Sequence, residues 1–308
     1  MHVSVIVPCH NVEAFVARAV ESAIAQTHPD LKVIAVDDGS TDGTLQVLRG
    51  LQARHPDRLT VVAQANAGAC AARNAGLRQS TGTYVQFLDA DDLIRPDKVA
   101  HQAKLAEERG ADVVVGSAEV YPSDGGPPHT EVQTNKDPDP WFELMRHGLG
   151  RTSQHLWRRA AVEAVGGWNE EQRSSQEYEL LFRLLRNGAR ITYDEVVLTE
   201  IHQRPGSITH TGLAANWVRN TRLRARIMEH LRTHRDGCDL RRYQQVVFDC
   251  IRVLHVYSPQ EAGRLHAELI PSGFRPIPSP TSSRAYVAAY RLFGFHGAER
   301  IRKLLRGR

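Results

Sequence analysis

The sequence predicts an α/β fold, with a mostly parallel β-sheet flanked by helices and a helical C-terminal region. Apolar segments of strand length alternate with segments of helical periodicity over the first half of the 308-residue chain. Acidic clusters follow two of the predicted strands, and the last third is rich in arginine. Strands separated by helices of roughly 10 to 15 residues indicate βαβ units around a parallel sheet.

Five apolar segments in the first half have the length of buried strands. They are 3–8, 31–36, 59–63, 84–88 and 111–116. The intervening helices are predicted after Asn11, which is a plausible N-cap, and at 44–53 and 69–78. The first of them has apolar residues at the spacing of one helical face: Val12, Phe15, Val16, Ala19, Val20, Ala23 and Ile24.

The second half has weaker patterns. A segment rich in Pro, Gly and Asp at 123–140 predicts a loop. Helices are predicted at 141–147, 159–165 and 175–187, the last stopped by Gly188, and a late strand at 190–199. Beyond His210 the chain is predicted to be helical, with an interruption at 271–280. We therefore expect an α/β domain at 1–209 and a basic, mainly helical region at 210–308.

Charge differs sharply between these two parts. The net charge is +4, but residues 210–308 contain 18 Lys and Arg against seven Asp and Glu, a net charge of +11. The remainder contains 21 basic and 28 acidic residues, a net charge of −7. An acidic body suits a bound cation, and a basic tail suits anionic lipid or another protein. A solvated helical face explains the tail equally well, and no nucleic acid partner is expected.

Composition also indicates a compartment. No apolar stretch reaches the roughly 18 to 20 residues of a spanning helix, and the N-terminus lacks the pattern of a secretory signal. The four cysteines lie far apart without metal-site or disulfide spacing. These features predict a cytoplasmic protein, with peripheral contact at the inner membrane face as an option that the basic tail leaves open.

An Asp-x-Asp pair, Asp89 and Asp91, follows the strand at 84–88, and Asp92 adjoins it. Ligands of open α/β sheets bind beyond the carboxyl ends of strands. Clustered carboxylates repel one another unless a cation neutralises them. Mn²⁺ or Mg²⁺ takes oxygen ligands and commonly bridges one or two carboxylates to a diphosphate. Helix capping is the alternative explanation of the pair taken alone.

Other polar residues lie at the same predicted edge. Asp38 directly precedes a turn that contains Gly39 and Gly43, after the second strand. Its carboxylate can accept from a base N–H or a ribose hydroxyl, or it can simply stabilise the turn and cap the next helix. Arg73 can contact phosphate or form a structural ion pair. His202 and Arg204 follow the late strand. Either can meet a diphosphate, and His202 is also a candidate metal ligand, although a lone histidine is more often structural.

Two glutamates open the helix at 175–187. A carboxylate at a pocket edge can remove the proton of a hydroxyl as a general base. Glu177 and Glu179 are both candidates, and they point to different sides of the helix because they are two residues apart. The sequence does not choose between them.

These segments together resemble family 2 glycosyltransferases. The similarity rests on 3–8 with Asn11, 36–44, 66–76 and 84–92, and on the Gly-Gly-aromatic segment ending at Trp168 that precedes 176–180. It covers roughly residues 1–209, which would form the catalytic domain with an A-type, Rossmann-like nucleotide-sugar-binding fold. The tail is not covered.

The resemblance implies roles for individual residues. Pro8 and the backbone near Asn11 would line the nucleotide pocket, Asp38 would contact the base, Asp89 would lie near the ribose and metal, and Asp91 would bind the metal. Glu177 stands where the family usually has an aspartate as catalytic base. His202 stands where an arginine is common. Arg204, Trp168 and Glu179 remain candidates for phosphate or acceptor contacts.

The expected function is inverting, metal-dependent transfer of a sugar from a nucleotide-diphosphate donor, UDP-sugar favoured, to an acceptor hydroxyl in polysaccharide, lipid-linked glycan or other glycoconjugate synthesis. The Gln-x-x-Arg-Trp motif of processive synthases is absent from the sequence, which favours single additions. The alternative is a catalytically silent nucleotide-sugar-binding or scaffold protein. A dinucleotide-dependent oxidoreductase is disfavoured because 8–11 lacks the required glycine-rich turn.

Overall fold

The computed structural model describes residues 1–134, 137–204, 212–235, 237 and 239–306. The chain forms two compact units, Met1–Ser207 and Ile208–Arg308. None of the described helices combines the length and apolar character needed to cross a membrane.

The first unit is built on one mixed sheet. Its strands are β1 Val3–Cys9, β2 Leu31–Asp38, β3 Leu59–Gln64, β4 Tyr84–Phe87, β5 Leu93–Ile94, β6 Val113–Tyr121, β7 His129–Glu131, β8 His155–Arg158 and β9 Ile191–His202. Their order is β3-β2-β1-β4-β8-β6-β9-β5, and β7 pairs with β6. Strands β3, β2, β1 and β4 are parallel, as predicted, and β6 is parallel to β9.

Helices connect and cover these strands. They are α1 Glu13–Ile24, α2 Thr44–Arg54, α3 Ala69–Gln79, α4 Lys98–Arg109, α5 Pro140–Met145, α6 Arg159–Ala164 and α7 Gln176–Arg186, with a 3₁₀ turn at Thr152–Gln154. Apolar burial holds the layers together, because β1 is almost entirely inaccessible and α1 buries its predicted face from Val16 to Ile24. A Cβ at Gly76 would collide with Ile6, so the glycine allows α3 to lie directly on β1.

Three local predictions were wrong, and one strand was missed. Asn11 is not the N-cap of α1. It adopts a left-handed φ of 51°, and Val12 occupies the cap position without a side-chain hydrogen bond. The 123–140 loop contains β7, which pairs with β6. Strand β8 was not anticipated, and it runs antiparallel between β4 and β6. Phe15, expected on the buried face of α1, is 37% exposed.

The second unit is helical, as predicted. Its helices are α8 Leu213–His234, α9 Leu240–Tyr257, α10 Pro259–Leu269 and α11 Arg284–Arg306. Helix α9 supplies much of the core, with Tyr243, Val247, Phe248, Ile251 and Leu254 all inaccessible. The proline-rich interruption separates α10 from α11, and Gly294 introduces a kink within α11.

Candidate active site

An acidic turn, formed by residues 89–92 with Asp89, Asp91 and Asp92, lies at the carboxyl end of β4. Its backbone is fixed by Ser153, whose hydroxyl accepts from the N–H of Asp89 at 3.0 Å and donates to the Asp92 carboxylate at 2.6 Å. The other Asp92 oxygen accepts from the N–H of His202 at 3.0 Å. Burial, together with the charges of Asp89 and Asp91, raises the pKa of Asp92 well above its usual range. Asp92 thus joins the turn to the end of β9.

Asp91 forms an ion pair with Arg204, which follows the end of β9. The Nε of Arg204 donates to its carboxylate at 2.5 Å, and the same guanidinium lies 5.1 Å from the centre of the Phe15 ring. Burial and the neighbouring charge of Asp89 raise the pKa of Asp91, while Arg204 opposes them. Asp91 and Arg204, predicted separately, therefore meet at one place.

His202 lies beside this turn. Its ring stacks on Tyr121 with centroids 4.6 Å apart and planes 7° apart. Its Nε2 has no hydrogen-bond partner among the described residues, and the nearest carboxylate oxygen, on Glu200, is 3.8 Å away. A buried ring nitrogen without a hydrogen-bond partner is a candidate metal ligand.

The donor set of the turn suits a hard divalent cation that is shared with a ligand. Within the part of the chain that the structure describes, no three His, Cys, Asp or Glu side chains are grouped as a complete metal site. Mg²⁺ commonly takes one or two protein carboxylates and completes its shell with water and substrate phosphates. Asp89, which is 36% exposed, and Asp91 supply such carboxylates, and the vacant His202 nitrogen lies at the same strand end.

Arg73 on α3 connects this turn to α7. Its Nη2 donates to Asp89 at 2.8 Å, and its Nη1 donates to Gln176 at 2.7 Å. Its guanidinium lies over the Trp168 ring, 4.5 Å from the centroid. Arg73 is 5% exposed and forms a buried ion pair with Asp89. A contact with phosphate, the other role considered from the sequence, would be made from within this ion pair.

The two candidate glutamates of α7 have different surroundings. Glu179 is 2% exposed and accepts three hydrogen bonds from Arg183, between 2.7 and 3.0 Å, so its carboxylate is fully engaged. Glu177 is half-buried and lies within the electrostatic reach of Arg73 and Asp89. Burial raises the pKa of Glu177, with Asp89 acting in the same direction and Arg73 in the opposite one.

The predicted nucleotide-binding residues lie at the carboxyl ends of β1 and β2. Asp38 is 2% exposed, and its carboxylate accepts from Gln64 Nε2 at 2.7 Å and from the N–H groups of Ala67 and Gly68 at 2.9 and 2.7 Å. These bonds fix the loop that leads into α3. Pro8 pairs in register with Val36 one strand away.

Asn11 joins the first two strand ends. Its side-chain oxygen accepts from the N–H of Thr41 at 2.8 Å, and its own N–H donates to the Ser40 hydroxyl at 3.1 Å. These contacts explain why Asn11 adopts the left-handed conformation, which asparagine tolerates better than most residues.

Trp168 is 2% exposed and packs edge-on against Phe87. The buried Trp168 ring therefore provides a rigid surface against which the Arg73 guanidinium packs. Sequence reasoning missed Ser153 and Gln176 as site residues. Ser153 lies 61 positions from Asp92 and belongs to no motif, so no local signal identifies it. Gln176 could have been noticed because it directly precedes Glu177.

Comparisons with known proteins identify the family of the chain. The family model described as Glycosyl transferase family 2 matches residues 4–163, just over half of the chain. The protein therefore belongs to glycosyl transferase family 2. The matched segment includes the acidic turn, Asp38, Arg73 and Ser153, and it ends before α7.

Curated relatives are similar over shorter lengths. An uncharacterized glycosyltransferase of Nostoc is 44% identical over 99 residues, 32% of this chain and 31% of the relative. EpsJ of Bacillus subtilis, also an uncharacterized glycosyltransferase, is 27% identical over 67% of this chain and 62% of its own length. The chondroitin synthase of Escherichia coli is 43% identical over 32% of this chain and 14% of its own length. The chain thus spans less than two thirds of each of these relatives.

Solved structures share the fold. S. aureus TarS in complex with UDP superposes with a TM-score of 0.62 at 21% identity, over 88% of this chain and 76% of that one. The mannosyltransferase PcManGT of Pyrobaculum calidifontis, in complex with GDP-Man and Mn²⁺, gives a TM-score of 0.56 at 20% identity, over 95% and 86% of the two chains. With the sheet order above, these likenesses identify the A-type glycosyltransferase fold.

Proposed function

We propose that this protein is an inverting, metal-dependent glycosyltransferase that moves a sugar from a nucleotide-diphosphate donor, a UDP-sugar first, to an acceptor hydroxyl. The observation that carries the proposal is the bridge made by Arg73. One guanidinium joins Asp89, at the end of β4, to Gln176, which directly precedes Glu177. Glu177 also lies within the electrostatic reach of Arg73 and Asp89, which supports a site shared by the acidic turn and the candidate base, as a reaction between a donor and an acceptor requires.

The donor is assigned to the carboxyl edge of β1, β2 and β4. Pro8, Asn11 and Asp38 surround the nucleotide, with Asp38 acting on the base either directly or through the loop it holds. Ligands of open α/β sheets take this position in general. Arg204 can contact the diphosphate when its partner Asp91 also binds the metal ion.

Asp91 and Asp89 are the residues that would hold Mn²⁺ or Mg²⁺, with His202 as a further candidate ligand. A divalent ion there would stabilise negative charge on the departing nucleotide diphosphate. PcManGT, which has the same fold, has been solved in complex with GDP-Man and Mn²⁺. Arg73 holds Asp89 in place for this purpose through a hydrogen bond of 2.8 Å.

Glu177 is the proposed general base. Its carboxylate removes the acceptor hydroxyl proton as the acceptor oxygen forms a bond to the anomeric carbon, and the bond from that carbon to the diphosphate oxygen breaks. Attack from the face opposite the leaving group inverts the anomeric centre. A raised pKa brings the carboxyl closer to the pH at which base catalysis is efficient. The ion pair of Glu179 with Arg183 makes it a poor competitor.

The relatives support a role in glycan synthesis. The matched proteins include the Escherichia coli chondroitin synthase and TuaG of Bacillus subtilis, named for teichuronic acid biosynthesis, which is 37% identical over 41% of this chain and half of its own length. TarS has been solved with UDP-GlcNAc. We accordingly assign the acceptor to a growing polysaccharide, lipid-linked glycan or other glycoconjugate.

A donor screen tests the proposal. Thermal shift is measured with UDP-sugars and GDP-mannose, with and without Mn²⁺, and nucleotide release is then followed for each stabilising donor. We expect stabilisation that depends on Mn²⁺, and release of the nucleoside diphosphate. Binding without any release, even with glycan acceptors present, would favour the catalytically silent alternative, and absence of binding would reject both.

A further inference from the structure

The last helix carries an unusual concentration of exposed apolar side chains. In the described chain, the four most exposed large hydrophobic residues all lie on α11. They are Leu292 at 75%, Leu304 at 74%, Leu305 at 69% and Phe293 at 61%. Single exposed apolar residues need no explanation, but two exposed apolar pairs on α11, one before and one after Gly294, mark a candidate contact surface.

The same helix is basic on its exposed side. Arg291, Arg300 and Lys303 are exposed and form no ion pair among the described residues. The only acidic residue of α11 is Glu299, which is 2% exposed and accepts from Arg252 at 2.9 Å and Arg302 at 2.7 Å. The accessible surface of α11 therefore presents positive charge with no carboxylate to balance it.

The fold separates this outer surface from an inner one. Tyr286, Val287, Phe295 and Ala298 are buried and attach α11 to the rest of its unit. At Gly294 the backbone leaves helical geometry, with φ 65° and ψ −172°. This kink ends the first helical segment immediately after Leu292 and Phe293, and both remain exposed.

We propose that α11 is a membrane-docking element that binds an anionic lipid surface. Leu292, Phe293, Leu304 and Leu305 enter the boundary between headgroups and acyl chains, and Arg291, Arg300 and Lys303 contact lipid phosphates. Apolar side chains interleaved with basic ones are typical of helices that lie in a membrane interface. A second copy of the chain is a poorer occupant, because a two-fold contact would place this basic surface against itself.

Vesicle flotation with the full chain tests this docking. Vesicles of phosphatidylcholine alone are compared with vesicles containing about 30% phosphatidylglycerol, at low salt. The apolar variant is Leu292→Ser, Phe293→Ser, Leu304→Ser and Leu305→Ser. The charge variant is Arg291→Gln, Arg300→Gln and Lys303→Gln. The matched control is Val256→Ser with Tyr257→Ser, which changes exposed apolar residues at the end of α9.

We expect the wild type and the control to float with anionic vesicles only. The charge variant should partition about 100-fold more weakly, and the apolar variant should also lose flotation. If the apolar variant bound anionic vesicles as well as the wild type, the contact would be non-specific charge attraction alone, and the proposal would be overturned. No preference of the wild type for anionic lipid, or a concentration-dependent dimer that the apolar variant abolishes, would overturn it too. Donor-induced thermal shift should be the same in all variants, so this test stands apart from that of the transferase activity.

Discussion

At the scale of single residues, the difference between Glu177 and Glu179 comes from their neighbours. The two carboxyl groups share one helix and one chemistry, but Glu179 is neutralised by a bidentate arginine, whereas Glu177 has burial and Asp89 acting against its charge. Burial and Asp89 raise the pKa of Glu177, so its carboxylate binds a proton more readily than an unperturbed one, as a general base needs.

The raised pKa of Glu177 predicts a pH-dependent difference in stability. Because the folded state binds this proton more tightly than the unfolded state, Glu177 costs stability above its folded pKa, and the cost fades as pH falls towards the ordinary value of about 4.3. Glu177→Gln removes the cost. We expect its Tm to equal or exceed that of the wild type at pH 8, with the difference vanishing near pH 4.

Glu171→Gln is the matched control, since Glu171 is exposed and lies six positions earlier. It should show no such pH-dependent gain. A Glu177→Gln protein that is less stable than the wild type at pH 8, by a margin that grows with pH, would contradict the environment assigned to this carboxyl.

At the scale of elements, Arg73 couples α3 to both the β4 turn and α7. Its bonds to Asp89 and Gln176 are long-range contacts that no helix or strand pattern encodes. The Trp168 ring lies against its guanidinium and limits the positions that it can adopt. The start of α7, which carries Glu177, is therefore held by a residue outside that helix.

Arg73→Met tests this coupling. Removing a buried charged donor leaves Gln176 and Asp89 without their shared partner, and Asp89 is partly solvated, so we expect a loss of about 1–3 kcal/mol in unfolding free energy. Transfer should fall further than stability explains, because Gln176, which directly precedes Glu177, loses its hydrogen bond to Arg73. Denaturant unfolding and kcat under folded conditions measure the two effects. Arg78→Met, an exposed change in the same helix, should alter neither.

A buried polar network lies behind the acidic turn. Lys98 is inaccessible and donates to Gln86 and, at 2.8 Å, to Gln102. Gln86 in turn donates to the carbonyl of Ser153 at 3.0 Å. Burial lowers the pKa of Lys98 to about 7, against a smaller opposing effect of Asp194.

Lys98 should make stability rise with pH. Between its folded pKa of about 7 and its unfolded value of about 10.4, the unfolded state binds the proton more tightly, so unfolding free energy increases with pH through that window. Lys98→Met should lack this increase. Urea unfolding between pH 7 and 10 compares the slopes. Lys104→Met, which changes an exposed lysine of the same helix, should keep the wild-type slope.

Much of this element scale was accessible from the sequence. Strands β1, β2 and β4 and helix α1 follow from apolar patterning because each buries a continuous run or face. Strand β3 was also predicted from its apolar segment, although only Leu59 is buried in it. Strand β8 was missed because four residues reading His-Leu-Trp-Arg carry no alternation, and its burial comes from β4 and β6 on either side. The burial of Lys98 was equally invisible, since only the tertiary fold supplies its glutamine partners.

The site residues that cluster in the sequence were predictable, whereas the contacts that hold them in place come from distant segments and were not. Asp89 and Asp91 stand out as a pair after a strand, but their fixation by Ser153 and Arg204 requires segments 64 and 113 positions away. The pairing of Glu179 with Arg183 could have been anticipated, because the two residues are four positions apart on the same helix, whereas the surroundings of Glu177 depend on Arg73 and Asp89 from other elements. The nucleotide and metal roles of Pro8, Asn11, Asp38 and His202 stay predictions.

At the scale of the whole molecule, the chain divides its chemistry between two units. The acidic unit, Met1–Ser207, contains the family match and the cluster around Arg73. The basic unit, Ile208–Arg308, is helical and contains the exposed surface of α11. Donor binding and group transfer are therefore expected to follow substitutions in the first unit.

Donor affinity and turnover of Glu177→Gln, measured side by side, test the account most directly. With the donor chosen by thermal shift, we expect the Kd to remain within about threefold of wild type while transfer falls about 100-fold or more, as for loss of a general base. Glu171→Gln should leave both values unchanged. Near-normal transfer by Glu177→Gln, or a loss of transfer matched by an equal loss of donor affinity, would contradict the role assigned to this carboxylate.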